Sequence, residues 1–180
     1  TLGIVGLGRI GSEVAHRARA FEMQLIGYDP FVAAERARSL GVELVELGEL
    51  FARSDFVTLH TALLDETRGL VNAELLAQAK PGLRLINAAR GALIDEAALL
   101  SAVESGQIAG AGIDVFSSEP AVGNVLTTDP RIVVTPHLGA STVEAQDRAA
   151  LSVVKQVLDV LAGGAARFAV NAPLVDAETM

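Results

Sequence analysis

Cysteine and tryptophan are missing from this 180-residue sequence, which has one tyrosine, two methionines and three histidines. Without cysteine there can be no disulfide, no thiolate nucleophile and no cysteine-bound zinc. His16, His60 and His137 are too scattered to form a metal-ligand spacing. Cations are in the minority, with 14 Lys and Arg against 22 Asp and Glu and a formal charge of −8. Such a balance disfavours nucleic acid or anionic membrane as the main partner, so an anionic ligand must be met by local cations and backbone N–H groups. No apolar run reaches the length of a membrane span, and the first residues lack the basic–apolar–small layout of a secretion signal. A soluble cytoplasmic protein is expected.

What the sequence has is apolar residues, 51% of the chain against 20% charged, the composition of a globular domain with a large core. Apolar strand-like runs alternate with helical patterns. Strands are predicted at LGIVG (2–6), MQLIGYD (23–29), VELV (42–45), DFVTLH (55–60), LRLINAA (83–89), IAGAGIDVF (108–116) and RIVVTP (131–136). Helices are predicted at 9–21, 33–41, 47–54, 72–80, 95–106 and 141–161, with Asn72 and Asp95 as N-caps and Gly41 and Gly106 as stops. In the last helix, Ser141 and Glu144 fit a capping box, and Val143, Ala150, Val153, Val154, Val157, Leu158 and Leu161 form an apolar stripe suited to the core or to a dimer interface, of which the core is preferred. The alternation predicts an α/β fold, a doubly wound parallel sheet covered on both faces, in a single domain.

Gly6-Leu7-Gly8-Arg9-Ile10-Gly11 is a G-x-G-x-x-G turn between the first strand and the first helix. In a Rossmann-type domain the first glycine permits the tight turn, the second lets a pyrophosphate approach the backbone, and the third lets the helix lie against the strand. The N–H groups of the helix start favour phosphate, and Arg9 adds a cation. Asp29 closes the second strand at the distance expected of the carboxylate that accepts the adenosine ribose hydroxyls. A carboxylate there repels a 2′-phosphate, and Pro30 and Phe31 follow in place of Arg or Lys, so NAD is predicted over NADP.

Three polar residues follow the ends of three later strands: Arg90 in NAARGALID, Glu119 in IDVFSSEP and His137 in TPHLGAST. A guanidinium can grip a carboxylate with two prongs, and a histidine oriented by a carboxylate can exchange a proton with an alcohol. The sequence leaves open whether Glu119 and His137 touch.

With these residues in view, the blocks GLGRIG, GYDP, HTALLDETRGLVN, NAARGALIDEAAL, GAGIDVFSSEP and PHLGASTVEAQ resemble, in order, those of the D-isomer-specific 2-hydroxyacid dehydrogenases, most of all their phosphoglycerate branch. The resemblance implies that Arg90 binds the substrate carboxylate and carbonyl, with Glu119 and His137 as the acid–base pair. It implies that Arg9 and Ile10 meet the pyrophosphate and Asp29 the ribose. Thr61, Ala88, Ala89 and Asp114 would line the cofactor site, and Gly139 and Ala140 would close over it beside His137. Glyoxylate, hydroxypyruvate and D-lactate dehydrogenases share the three polar residues, as do NAD(H)-sensing corepressors of this fold.

The family often has proline where Ala62 and Asp65 stand, so a looser loop is expected near Thr61. Family members also carry a second, substrate-binding domain. Residues 1–167 are therefore expected to be the NAD-binding domain, and residues 168–180 the start of a return segment toward a substrate domain outside the sequence. Such a piece would bind NAD(H) with little turnover. Dimers of the family form through this domain, so a homodimer is expected.

Overall fold

The computed structural model describes residues 1–166. The segment 168–180 lies outside the described residues. Seven strands are formed: β1 (Leu2–Val5), β2 (Leu25–Tyr28), β3 (Glu43–Leu44), β4 (Phe56–Leu59), β5 (Leu83–Asn87), β6 (Ile108–Ile113) and β7 (Ile132–Val134). Between and after them lie α1 (Arg9–Ala20), α2 (Ala34–Leu40), α3 (Leu47–Arg53), α4 (Ala73–Ala77), α5 (Glu96–Glu104) and α6 (Val143–Leu161). The chain divides into two compact units, Thr1–His137 and a second that begins at Leu138.

The first unit is a seven-stranded sheet in the order β3-β2-β1-β4-β5-β6-β7, every pair parallel. This is a Rossmann-type doubly wound sheet, and strand order reverses at β1. Parallel strands joined by right-handed crossovers put the helices of the two halves on opposite faces. Side chains that alternate along β1 show it: Leu2 and Ile4 join α1 and α2 in one core cluster, while Val5 faces the cluster that holds Leu50, Phe51, Leu75 and Leu99 of α3, α4 and α5. Within the first unit the helices do not cover the two faces equally. On the α1 side Phe56 and Val133 remain exposed, because the links from β4 onward place their α-helices on the other face and the β6–β7 link holds only a 3₁₀ turn, Val125–Thr127.

Local signals do much of the shaping. Asn72 accepts the Leu75 N–H at 2.9 Å and Asp95 the Ala98 N–H at 3.0 Å, so the two N-caps fall where the sequence puts them. Gly41 closes α2 in the left-handed conformation, φ +73°.

In the second unit, the cap of α6 falls one residue later than predicted, at Thr142. Ser141 is held in a turn by its N–H to the Leu138 carbonyl (2.9 Å), so Thr142 takes the extended cap position and its hydroxyl accepts the Ala145 N–H at 3.1 Å. Within the second unit no residue of α6 is buried, and Val153, Val154, Val157 and Leu158 are exposed, so the preference for the core over an interface finds no support there. Among the described residues no helix is long and apolar enough to cross a membrane.

Candidate active site

The carboxyl ends of β1, β2 and β4 meet at the point where strand order reverses, the place where open parallel sheets hold their ligands. A cleft of about 640 Å³ opens there, lined by Gly6, Gly8, Asp29, Phe31, His60 and Thr61 among others. Gly6 has φ +91°, and a Cβ on it would lie 2.8 Å from the backbone of His60 and Thr61. A Cβ on Gly11 would run into the Gly6 carbonyl oxygen, so α1 can approach β1 only without one. Gly8 differs. A Cβ there would meet nothing within 4 Å, so the protein itself does not demand glycine. The open space lies at the N-terminus of α1, where N–H groups and the helix dipole favour phosphate, and the loop thus fits a pyrophosphate.

Asp29 is held before any ligand arrives. One carboxylate oxygen accepts the Leu7 N–H at 2.8 Å and the other the Phe31 N–H at 3.0 Å. Each oxygen keeps a further lone pair for a hydroxyl. Arg9 and Ile10, in the first turn of α1, are exposed. In the loop after β4 the Thr67 hydroxyl donates to the Ala62 carbonyl (2.7 Å) and accepts the Leu64 N–H (2.7 Å), closing a short 3₁₀ turn.

A second pocket, of about 280 Å³, is lined by Arg90, Gly91, Phe116, Glu119 and His137. Three loops after β5, β6 and β7 thus bring together the residues singled out from sequence. His137 Nδ1 lies 2.8 Å from Glu119 Oε2 and donates to it. The Glu119 carboxyl is held below the ordinary carboxylate range, first by His137 and then by the Phe116 N–H to Oε1 (3.1 Å), with the Asp114 charge acting the other way. Both partners are open to water, so the pair adds little stability and mainly fixes the imidazole's orientation. The His137 backbone is left-handed at φ +58°, a conformation that costs a non-glycine residue about 1–3 kcal/mol, and its N–H is fastened to the Asp114 carbonyl at 2.8 Å.

Asp114 is buried at the end of β6, and the Thr135 hydroxyl donates to its carboxylate. Ala88 and Ala89 form the turn after β5. Arg90 is exposed beyond it, with its guanidinium donating to the Ala89 carbonyl at 2.6 Å. Gly139 and Ala140 belong to the second unit, where both are exposed.

Two contributors were not singled out from sequence. Asn87, buried, accepts the Ala89 N–H (3.0 Å) and donates to the Arg90 carbonyl (2.9 Å), which shapes the turn. Its signal was a lone amide ending an apolar strand. His60 follows β4 on the wall of the first cleft, its Nε2 2.9 Å from the Thr58 hydroxyl. Burial pushes the pKa of this imidazole below its ordinary value. Its signal was the polar end of an otherwise apolar run beside Thr61.

A doubly wound sheet with a glycine turn at its switch point, a tethered carboxylate one strand over and a His–Glu pair beyond defines a dinucleotide-binding domain of the dehydrogenase type. Residues 1–139 match the family described as D-isomer specific 2-hydroxyacid dehydrogenase, NAD binding domain, and the chain belongs to that family. It is 53% identical over 173 residues to D-3-phosphoglycerate dehydrogenase of Bacillus subtilis (strain 168), which covers 96% of this chain and 33% of the relative. The chain spans about a third of the length of the curated relatives it matches. Among solved structures it resembles the holo form of Rhodotorula graminis D-mandelate dehydrogenase (TM-score 0.88, 34% identity, 95% of this chain and 51% of that one). It also resembles D-lactate dehydrogenase from Aquifex aeolicus complexed with NAD and lactic acid (TM-score 0.81, 33% identity, 90% and 53%).

Proposed function

We propose that this NAD-binding domain serves the oxidation of 3-phospho-D-glycerate to 3-phosphohydroxypyruvate, the first step of L-serine biosynthesis. The observation that carries this reading is the shared pocket of Arg90, Glu119 and His137, with Glu119 and His137 in hydrogen-bond contact. In this reading Arg90 grips the substrate carboxylate and orients the carbon that reacts. His137, its Nδ1 engaged by Glu119, uses Nε2 to take the proton of the 2-hydroxyl, and Glu119 stabilises the imidazolium that results. In the reverse direction the same imidazolium returns the proton to the carbonyl oxygen. NAD, when bound, supplies the acceptor for the hydride leaving C2.

The cofactor is assigned to Gly6, Gly8, Arg9, Ile10 and Gly11 for the pyrophosphate, and to Asp29 for the ribose. Thr61, Ala88, Ala89, Asp114, Gly139 and Ala140 are assigned to the remaining cofactor contacts, with Arg90 and His137 at the reacting end. Phosphoglycerate is preferred as substrate because the curated relatives of that name are 48–53% identical to the chain, above the identity to the D-lactate and D-mandelate enzymes. Those enzymes support the second reading, another D-2-hydroxy acid. Arg90, Glu119 and His137 are all exposed, so the domain by itself should hold NAD(H) and turn over slowly until a further wall completes the substrate cleft. We further propose a cytoplasmic protein and a homodimer; the exposed apolar stripe of α6 supports the dimer.

Calorimetric titration should give tighter binding of NADH than NADPH. In an absorbance assay with NAD, 3-phospho-D-glycerate should be the best substrate of a panel that includes D-lactate and glycolate. Preference for either of the latter would move the assignment to the second reading. Light scattering on a sizing column reads the dimer.

A further inference from the structure

Glu96 opens α5 in the position where an acidic side chain ordinarily does no more than favour the helix dipole. Here its carboxylate reaches across to the loop after β6. Oε1 accepts the Ser117 N–H at 2.7 Å, and Oε2 accepts the Ser117 hydroxyl at 2.9 Å and the Asn124 side-chain amide at 2.8 Å. Asn124 in turn accepts the Leu126 N–H at 2.9 Å and so caps the 3₁₀ turn Val125–Thr127. One half-buried carboxylate thus ties the loop at two points, and Glu119 lies between them.

The tie sits next to the acid–base pair. Two consecutive backbone N–H groups are divided between two carboxylates: Phe116 donates to Glu119 at 3.1 Å and Ser117 to Glu96 at 2.7 Å. The direction of the Ser117 N–H constrains the Phe116–Ser117 peptide plane, which joins at the Phe116 Cα the peptide whose N–H supports Glu119 Oε1. The other Glu119 oxygen accepts from His137 Nδ1. A pair as open to water as this one does not hold its own geometry strongly, so the loop beneath it has to.

We propose that Glu96 is a positioning residue for the Glu119–His137 pair, fixing through Ser117 and Asn124 the loop that presents the Glu119 carboxylate to the imidazole. The inference rests on the role given to that pair under Proposed function. It adds a residue from α5 that does not itself line the pocket of Arg90, Glu119 and His137 but holds Ser117, which does.

The test is a side-chain carboxyl NMR titration of Glu119 in this chain, with Glu96→Ala and Glu96→Gln beside the unaltered protein. Glu96→Ala removes three accepted hydrogen bonds. The Glu119 carboxyl should then titrate at higher pH, toward an ordinary carboxylate, because its contacts with His137 and the Phe116 N–H loosen. Glu96→Gln keeps a carbonyl oxygen for the Ser117 N–H and should bring the titration part of the way back. NADH affinity should change little in both variants, since Glu96 lines neither the cleft at Gly6 to Gly11 nor the pocket of Arg90, Glu119 and His137. A Glu119 titration unmoved in folded Glu96→Ala, or equal in the two variants, overturns the proposal. Should Glu96→Ala fail to fold, Glu96→Gln decides alone: an upward shift supports the tie and no shift refutes it. Failure to oxidise 3-phospho-D-glycerate would count against the proposed substrate and leave this titration untouched.

Discussion

Two glycines of the same turn should respond in opposite ways to the same added methyl. In Gly11→Ala the new Cβ meets the Gly6 carbonyl oxygen, which is backbone and cannot swing aside. Either α1 moves off β1 or the turn distorts, an overpacking that costs about 1–3 kcal/mol and, in a domain of this size, lowers the thermal midpoint by roughly 2–12 °C. In Gly8→Ala the Cβ meets no protein atom within 4 Å, and φ is −66°, which alanine accepts. Losing glycine at the helix cap costs up to about 1 kcal/mol, and the lower chain entropy of alanine in the unfolded state offsets about 0.4–1 kcal/mol of it. The net should stay within about 0.5 kcal/mol. The methyl does occupy the space assigned to the pyrophosphate. Losing two charge-assisted hydrogen bonds there amounts to about 3 kcal/mol, or roughly 100-fold in Kd. Thermal unfolding and NADH calorimetry on both variants measure the four quantities. Gly8→Ala that binds NADH like the unaltered chain, or that melts as early as Gly11→Ala, would refute the argument that Gly8 faces ligand and Gly11 faces protein.

Leu85, fully buried in β5, should cost about 2–5 kcal/mol on truncation to alanine, read as a lower urea midpoint. The Arg131 guanidinium, with the Arg131 N–H behind it, holds the Asp129 carboxyl down at about 2, below its ordinary 3.8. A folded-state value depressed in this way contributes stability above the unfolded value and loses it as pH falls through the folded one. Between about pH 4 and 2 the unaltered chain should therefore lose thermal stability more steeply than Asp129→Asn; parallel curves would contradict this. His137→Asn should lower 2-hydroxy acid oxidation by roughly 10²–10⁴-fold with NADH affinity nearly unchanged, as stopped-flow and calorimetry would read. An equal loss in both would place His137 in cofactor binding instead of proton transfer.

Much of this fold is local and therefore legible in one dimension. Asn72 and Asp95 cap the helices they precede because a short acceptor satisfies N–H groups two and three residues on, a matter of neighbours in sequence. The strand–turn–helix at Gly6 to Gly11 is fixed the same way, by residues that allow a positive φ and a close helix. Cap choice failed at Ser141 because the Leu138 carbonyl competes for its N–H. The fate of the α6 stripe was not legible either, since periodicity marks an apolar face without saying what meets it.

Sequence alone determined the parts of the candidate site: a glycine turn, a carboxylate at the next strand end, and an Arg, a Glu and a His each past the end of a strand. The tertiary structure decided which of them meet. Glu119 and His137 stand 18 residues apart in sequence and touch only because parallel strands β6 and β7 end side by side and their loops leave from the same edge. Glu96 reaches the same loop from a helix on one face of the sheet, a contact between residues more than 20 apart that no local pattern encodes. Side-chain type and spacing are written along the chain, but the meeting of distant loops is set by strand order and crossover hand, and these exist only once the sheet has formed.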